Sequence, residues 1–129
     1  MNRAKALTTC FASGFVGVAL GAFGAHGLKN LVTPELLEIY KTGVFYQFVH
    51  TFAALALLAL CTEFRPIRVP LLLFFAGIVL FSGSLYLLAV TGIRQLGMIT
   101  PVGGALWLIA WIYSAWIFLR MKNGNANHD

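Results

Sequence analysis

One histidine, His50, stands inside an apolar stretch of the sequence, where an ionisable side chain is expensive to place. If the stretch is helical, Gln47 shares a face with His50, and Tyr46 lies one turn before it. Histidine titrates near neutral pH, so this group could accept a proton or bind a ligand. The competing interpretation is a neutral imidazole hydrogen-bonded to Tyr46, Gln47 or a serine of another helix, since polar pairs between membrane helices are routine.

A second polar group, formed by Ser82, Ser84 and Tyr86, occurs in a later apolar run. Counted from the outer ends of their runs, these residues reach about the same depth as His50. The coincidence predicts a small polar pocket in one half of the membrane. Serines in membrane helices often bond their own backbone, so simple packing is the competing interpretation.

Three further residues, His26, Arg94 and Thr100, are expected near the outer rim of this pocket. The functional hypothesis is a cationic lip that attracts an anionic headgroup, and the alternative is ordinary interfacial residues at helix ends. The complete predicted ligand-binding set is His50, Gln47, Tyr46, Ser84, Tyr86, Ser82, His26, Arg94 and Thr100.

Other chemical signatures are absent from the sequence. Cys10 and Cys61 stand apart without a CxxC pair, and no two histidines have helical metal spacing. There is no Ser/His/Asp set, no nucleotide-binding loop and no acidic residue inside the apolar runs. We therefore predict no metal, no cofactor and no catalytic residue, and the sequence leans against an enzyme.

Four apolar runs must position these side chains, and they fill most of the 129 residues. They extend from Leu7 to Ala25, Val44 to Leu60, Val69 to Val90 and Met98 to Leu119. Each has about the 17–25 residues that a helix needs to cross a bilayer core. With 60% apolar and 10% charged residues, the chain is too apolar for a soluble domain. Because the runs are apolar all round, they predict helices rather than barrel strands.

The predicted fold is an all-α integral membrane four-helix bundle with up-down-up-down topology, since the connections are short. We expect one transmembrane domain over residues 1–129, with spans at about 6–26, 43–62, 69–91 and 99–120 and a disordered tail over 121–129.

An amphipathic outer segment is expected between the first two spans. Thr33 and Pro34 form a cap-plus-proline signal for the start of the second helix. A helix from Pro34 to Cys61 would be about 42 Å long at about 1.5 Å per residue, which exceeds a hydrocarbon core of about 30 Å. Its first turns should therefore lie at the outer surface, with a break near Gly43 as one arrangement.

Two other boundaries carry local signals. Gly27 should end the first helix in a left-handed conformation. Residues 65–70, which contain two prolines, should form a tight turn, with Pro70 beginning the third helix.

The distribution of Lys and Arg predicts the orientation. With four spans, both termini and the middle connection share one side, which carries Arg3, Lys5, Arg65, Arg68, Arg120 and Lys122; the other side carries Lys29, Lys41 and Arg94. The richer side should be cytoplasmic. The net charge of +5 therefore reflects membrane topology, and we predict no nucleic-acid partner.

A face of small residues is expected on the first helix. Gly14, Gly17, Gly21 and Gly24 recur at spacings of three and four, so they share one side. Such a face lets another backbone approach closely, and helix packing is the leading interpretation. The alternative is room for a ligand beside the groove.

Four short strings carry a family resemblance: GAFGAHG at 21–27, YQFVH at 46–50, FSGSLY at 81–86 and TPVGG at 100–104. In this order they resemble the bacterial membrane family labelled domain of unknown function 423, which has small relatives in animals. The resemblance covers essentially the whole chain and implies an integral inner-membrane protein. It implies no activity, substrate or catalytic residue.

The leading function hypothesis is a non-enzymatic membrane protein whose outward-facing polar pocket binds a lipid headgroup or small solute, or which serves as a subunit of a membrane assembly. Expected partners are membrane lipids, with further copies or other membrane proteins as additional candidates. One alternative is an oligomeric transporter or channel with the glycine face between subunits. Another is a lipid-modifying enzyme that uses His50 or His26 as a base.

Overall fold

A computed structural model describes the backbone of residues 1–125 and the side chains of residues 1–121. The helices are α1 (Arg3–His26), α2 (Pro34–Leu60), α3 (Phe64–Gly77), α4 (Gly83–Thr91) and α5 (Thr100–Asn125). A π turn at Ile78–Ser82 joins α3 to α4, and short 3-10 turns occupy Leu28–Asn30 and Arg94–Met98. The first part of the predicted tail, residues 121–125, is helical, and the rest lies outside the described residues.

Four helical segments are long and apolar enough to cross a membrane: Arg3–Asn30, Pro34–Leu60, Phe64–Thr91 and Arg94–Met121. We call the segment Phe64–Thr91, which contains α3, the π turn and α4, the third span. The prediction of an all-α four-helix membrane bundle is confirmed. The membrane boundaries along these helices stay predictions.

The helices pack in chain order. α1 lies against α2, α2 against the third span, and the third span against α5. Neighbours are antiparallel: Arg3 at the start of α1 bonds the end of α2 at Cys61, whereas Tyr40 early in α2 bonds Leu20 late in α1. The short connections produce this alternation, as expected for an up-down-up-down bundle.

α2 begins as predicted, because the Thr33 hydroxyl accepts a hydrogen bond from the Leu36 N–H at 3.3 Å and Pro34 occupies the first turn. The suggested break near Gly43 does not occur, and the helix is continuous to Leu60. Gly43 instead makes room for a ring, since a Cβ there would lie 2.9 Å from Cε1 of Tyr86. The first turns of α2 pack on the bundle through Leu36, Leu37 and Tyr40.

Two predicted boundaries were wrong. Residues 65–70 do not form a turn, because α3 begins at Phe64 and contains them. Pro66 is tolerated in the first turn, where backbone N–H groups have no intrahelical acceptor, while Pro70 is buried inside the helix. Gly27 is not left-handed: its φ is −91° and the chain continues into a 3-10 turn. Among the described residues, Gly92 has the positive φ, 71°, and it caps the end of α4 in the left-handed conformation.

The glycine face of α1 is turned mainly toward α2. A Cβ at Gly17 would lie 2.9 Å from the Phe48 ring, and one at Gly24 would lie 2.8 Å from the Tyr40 ring. Gly21 is looser, with Val44 at 3.6 Å, and Gly14 has no atom within 4 Å of the Cβ position. Three of the four glycines therefore admit α2 side chains within one chain.

The π turn of the third span lies beside α5. Gly77 immediately precedes this turn, and a Cβ there would collide with the indole nitrogen of Trp107. Gly103 of α5 approaches Phe81 so closely that its Cβ would lie 2.8 Å from that of Phe81. Glycines on both partners thus let α5 and the third span come together, and Trp107 fills the slot between them.

Candidate functional site

His50 lies in an aromatic stack at the centre of the bundle. It is only 3% exposed, and its ring lies flat on that of Trp107, with centroids 3.5 Å apart and planes 6° from parallel. The Trp107 indole N–H donates to the backbone carbonyl of Phe74 at 3.1 Å, one turn before the π turn. The imidazole therefore rests on a ring that α3 holds in place.

Both nitrogens of His50 are engaged. The indole N–H of Trp111 can only donate, so Nε2 of His50 accepts from it at 3.3 Å. The ring proton must then reside on Nδ1, which donates to the carbonyl of Tyr46 at 2.8 Å. This arrangement fits a neutral imidazole and leaves no ring nitrogen free for a ligand. Tyr46 is one of the partners expected for His50, whereas its bond to Trp111 was not predicted.

Gln47 belongs to a different network, which ties three spans together. Its amide oxygen accepts from the Tyr86 hydroxyl at 2.7 Å, and its amide nitrogen donates to the Ser13 carbonyl at 2.8 Å. The hydroxyls of Ser13 and Thr51 are 2.7 Å apart. Gln47 is 3% exposed, so its amide is both buried and satisfied.

Ser84 and Thr100 form a third polar contact, between the third span and α5. Ser84 donates its hydroxyl proton to the carbonyl of Phe81 at 2.8 Å, so it accepts from the Thr100 hydroxyl at 2.7 Å. Ser82 is fully buried in the π turn, and its hydroxyl has no hydrogen-bond partner within residues 1–121. The predicted polar layer is therefore divided into separate hydrogen-bond networks, with the Ser82 hydroxyl outside them.

Two of the predicted rim residues, His26 and Arg94, lie apart from these networks. His26 is exposed at the end of α1, and Asn30 donates to its carbonyl at 3.5 Å. Arg94 lies 3.7 Å from a carboxylate oxygen of Glu35, with both side chains largely exposed. Neither residue shares a hydrogen bond or ion pair with His50, Gln47 or Ser84 in the part of the chain described.

Four of the residues predicted to line one pocket instead border two separate grooves. Gln47 and Tyr86 border a groove of about 340 Å³ between α1 and the third span. Tyr46 and His50 border another, of about 500 Å³, between α2 and α5. Their roles as ligand-binding residues stay predictions.

A further groove between α2 and α5 adjoins the second one at Trp111, which lines both. We call the two together the α2–α5 groove and distinguish its Tyr46 part from its Ala115 part. The Tyr46 part has aromatic walls, with Tyr46, Phe81, Trp107 and Trp111 among its lining residues. The Ala115 part, of about 280 Å³, is lined by small and apolar residues that include Ala53, Ala56, Leu60, Ala115 and Phe118. Trp111 borders both parts.

The α2–α5 groove offers few polar groups to a ligand. The lining residues of both parts include no charged side chain. Ser114 donates to the Ala110 carbonyl at 2.7 Å, and His50 is fully engaged. Tyr46 is 39% exposed, and its hydroxyl makes no hydrogen bond within the described residues. It is therefore the polar group that a bound molecule can reach.

No metal-binding group of three or more His, Cys, Asp or Glu side chains occurs among the described residues. Cys10 and Cys61 are both buried free thiols.

Trp107 and Trp111 stand four residues apart and share a face of α5, and this spacing was the available sequence signal for their role. Ser13 carried no such signal.

The fold and these contacts define a small polytopic α-helical membrane protein whose intramembrane polar groups are mostly paired with one another. Residues 20–104 match the family model described as "Protein of unknown function (DUF423)". The chain therefore belongs to the DUF423 family, which confirms the resemblance seen in the sequence.

Curated relatives carry membrane-protein names. The chain is 42% identical over 120 residues to a UPF0382 membrane protein of Haemophilus influenzae, covering 92% of this chain and 97% of that protein. It is 45% identical over 100 residues to the UPF0382 membrane protein YwdK of Bacillus subtilis, covering 75% and 81%. It is 37% identical over 123 residues to the UPF0382 inner membrane protein YgdD of Escherichia coli, covering 91% of each. No solved structure matches the chain.

Proposed function

We propose that this protein is a non-enzymatic lipid-binding protein of the membrane, which holds the hydrocarbon chain of one amphiphile in the α2–α5 groove. The supporting observation is that the groove extends on both sides of Trp111, with apolar and aromatic lining and a reachable hydroxyl on Tyr46. Mostly apolar clefts with a few placed polar groups are typical ligand sites. The polar end of the amphiphile would lie at Tyr46.

The polar side chains favour lipid binding over passage of a solute through the chain. The Gln47 amide is hydrogen-bonded to Tyr86 and Ser13. The Ser84 hydroxyl is hydrogen-bonded to Thr100 and to the carbonyl of Phe81. These bonds satisfy the groups that would otherwise line a polar path. Both ring nitrogens of His50 are engaged in hydrogen bonds, so this residue offers no free general base for a lipid-modifying reaction.

We place the protein in an inner membrane, with both termini in the cytoplasm. The Escherichia coli relative is named an inner membrane protein. The excess of Lys and Arg on the side of the termini supports this orientation. Fusions at the C-terminus test it. A fluorescent protein that folds only in the cytoplasm should be bright, and an alkaline phosphatase that is active only outside should be silent. The opposite pair of results would reverse the orientation.

The binding proposal is tested by native mass spectrometry of protein purified from its host membrane. Wild type should carry one equivalent of an organic-extractable amphiphile. Ala115→Phe, which fills one part of the groove, should lose that adduct. Ala19→Phe is the matched control, because Ala19 is an exposed alanine of α1 that does not line the groove. Equal adducts in both variants, or no adduct in wild type, would contradict the proposal.

A further inference from the structure

The α2–α5 groove is chemically divided along its length. Its Tyr46 part is richer in aromatic rings, and its Ala115 part is lined mainly by small and aliphatic residues, together with Phe74, Trp111 and Phe118. Along α5 the groove extends from Pro101 to Phe118, which is about 25 Å at about 1.5 Å per residue. A molecule that matches both parts has a compact unsaturated head and a long hydrocarbon tail.

Three of the rings beside the Tyr46 part, those of Tyr46, His50 and Trp107, are nearly parallel, whereas the ring of Phe81 is tilted by 53° from that of Tyr46. The planes of Tyr46 and His50 differ by 17°, those of Tyr46 and Trp107 by 17°, and those of His50 and Trp107 by 6°. Trp111 stands at the other side, 47% exposed and 66° from the His50 plane. Offset stacking and edge contacts with aromatic rings favour a flat ring over a branched headgroup.

The lack of charged lining residues argues against an ionic headgroup in the Tyr46 part. A phosphate or ammonium group away from water needs a charged or multiply hydrogen-bonded partner, and the lining residues carry no charge. The available group is the Tyr46 hydroxyl, whose proton can be donated to one acceptor. The head that fits is therefore neutral, flat and supplied with a carbonyl oxygen.

From these observations we infer that the amphiphile of the proposed function is an isoprenoid quinone. Its ring occupies the Tyr46 part of the groove, one ring carbonyl accepts a hydrogen bond from the Tyr46 hydroxyl, and its tail follows the Ala115 part. This inference rests on the proposed function and adds the chemical class of the ligand. It concerns binding alone, with no electron transfer to the protein.

Quenching of tryptophan fluorescence tests the inference. Trp116 stacks with Arg120 at 4.0 Å and does not line the groove, so Trp116→Phe leaves Trp107 and Trp111 as reporters beside the groove. Decylubiquinone added to this protein in nanodiscs should quench the emission with a saturable, one-site dependence. Tyr46→Phe should weaken binding about fivefold, as expected for one lost hydrogen bond, whereas Ala19→Phe should leave it unchanged.

The outcomes separate the two proposals. A phosphatidylethanolamine with brominated chains serves as the comparison probe in the same nanodiscs. If that probe quenches saturably and Ala115→Phe abolishes the effect, while decylubiquinone does not bind, the lipid-binding function stands and the quinone inference is overturned. Quinone quenching that never saturates, or that is identical in Tyr46→Phe, also overturns the inference. If neither probe binds the groove, both proposals fail.

Discussion

The imidazole of His50 lies face to face with the indole of Trp107, with ring centroids 3.5 Å apart. Trp107 is held by the Phe74 carbonyl, and His50 is held by Tyr46 and Trp111. The histidine that looked most suited to chemistry in the sequence therefore joins α2 to α5. Its neighbours Tyr46 and Trp111, which are more exposed, form the surface that a ligand can contact.

Replacement of His50 by alanine should destabilise the bundle. The change removes the ring under Trp107 and leaves the Trp111 N–H without its acceptor, so we expect a loss of about 2–4 kcal/mol. Reversible unfolding in detergent micelles measures it. His26→Ala is the matched control, because His26 is exposed at a helix end and should change stability by less than about 0.5 kcal/mol. Equal effects of the two substitutions would refute the structural role of His50.

Gly77→Ala should be far more damaging than Gly83→Ala. A Cβ at Gly77 meets the Trp107 indole, whereas one at Gly83 has no atom within 4 Å. Overpacking of this kind costs about 1–3 kcal/mol and sometimes more, while the second change should be neutral or stabilising by up to about 1 kcal/mol, from helix propensity. Thermal unfolding of the two variants compares them. A tolerated Gly77→Ala would show that Trp107 does not occupy this slot.

Gln47 and Tyr86 should be energetically coupled. Their hydrogen bond of 2.7 Å links α2 to the third span in buried surroundings. A double-mutant cycle with Gln47→Leu and Tyr86→Phe should give a coupling energy of at least about 0.6 kcal/mol, the average for interhelical hydrogen bonds in membranes, and at most about 1.7 kcal/mol, the largest value found for them. A parallel cycle with Gln47→Leu and Thr100→Val, which share no bond, should give additive effects. Additivity in the first cycle would mean that this bond does not form.

Arg3 should stabilise the end of α2. Its guanidinium donates to the carbonyls of Leu58 and Cys61, the latter at 2.9 Å, near the helix terminus where carbonyls lack intrahelical partners. Arg3→Gln should lower stability by about 1–3 kcal/mol and speed amide hydrogen exchange around Cys61. Lys5→Gln removes the same charge from an exposed position and is the control. Faster exchange in both variants would indicate a general effect of charge.

Local signals in the sequence predicted several features correctly. The start of α2 at Pro34 follows from Thr33 and its cap, and the burial of Gln47 and His50 on one face follows from helical spacing. The start of the third span was misjudged because prolines in the first turn of a helix and prolines in a tight connecting loop look alike in sequence. The π turn at Ile78–Ser82 had no sequence signal, since it accompanies the insertion of Trp107 beside Gly77.

The sequence by itself determined that this chain forms four apolar helices in a membrane, because hydrophobicity and run length are properties of each segment alone. The same residue types also indicated which side chains would be buried. Only the tertiary structure decided their partners: His50 meets Trp107 and Trp111, whereas Gln47 meets Tyr86 and Ser13. The physical reason is that residues at one depth contact each other only when their helices are rotated toward a shared interface. That rotation depends on how the glycines and large rings of all four spans fit together.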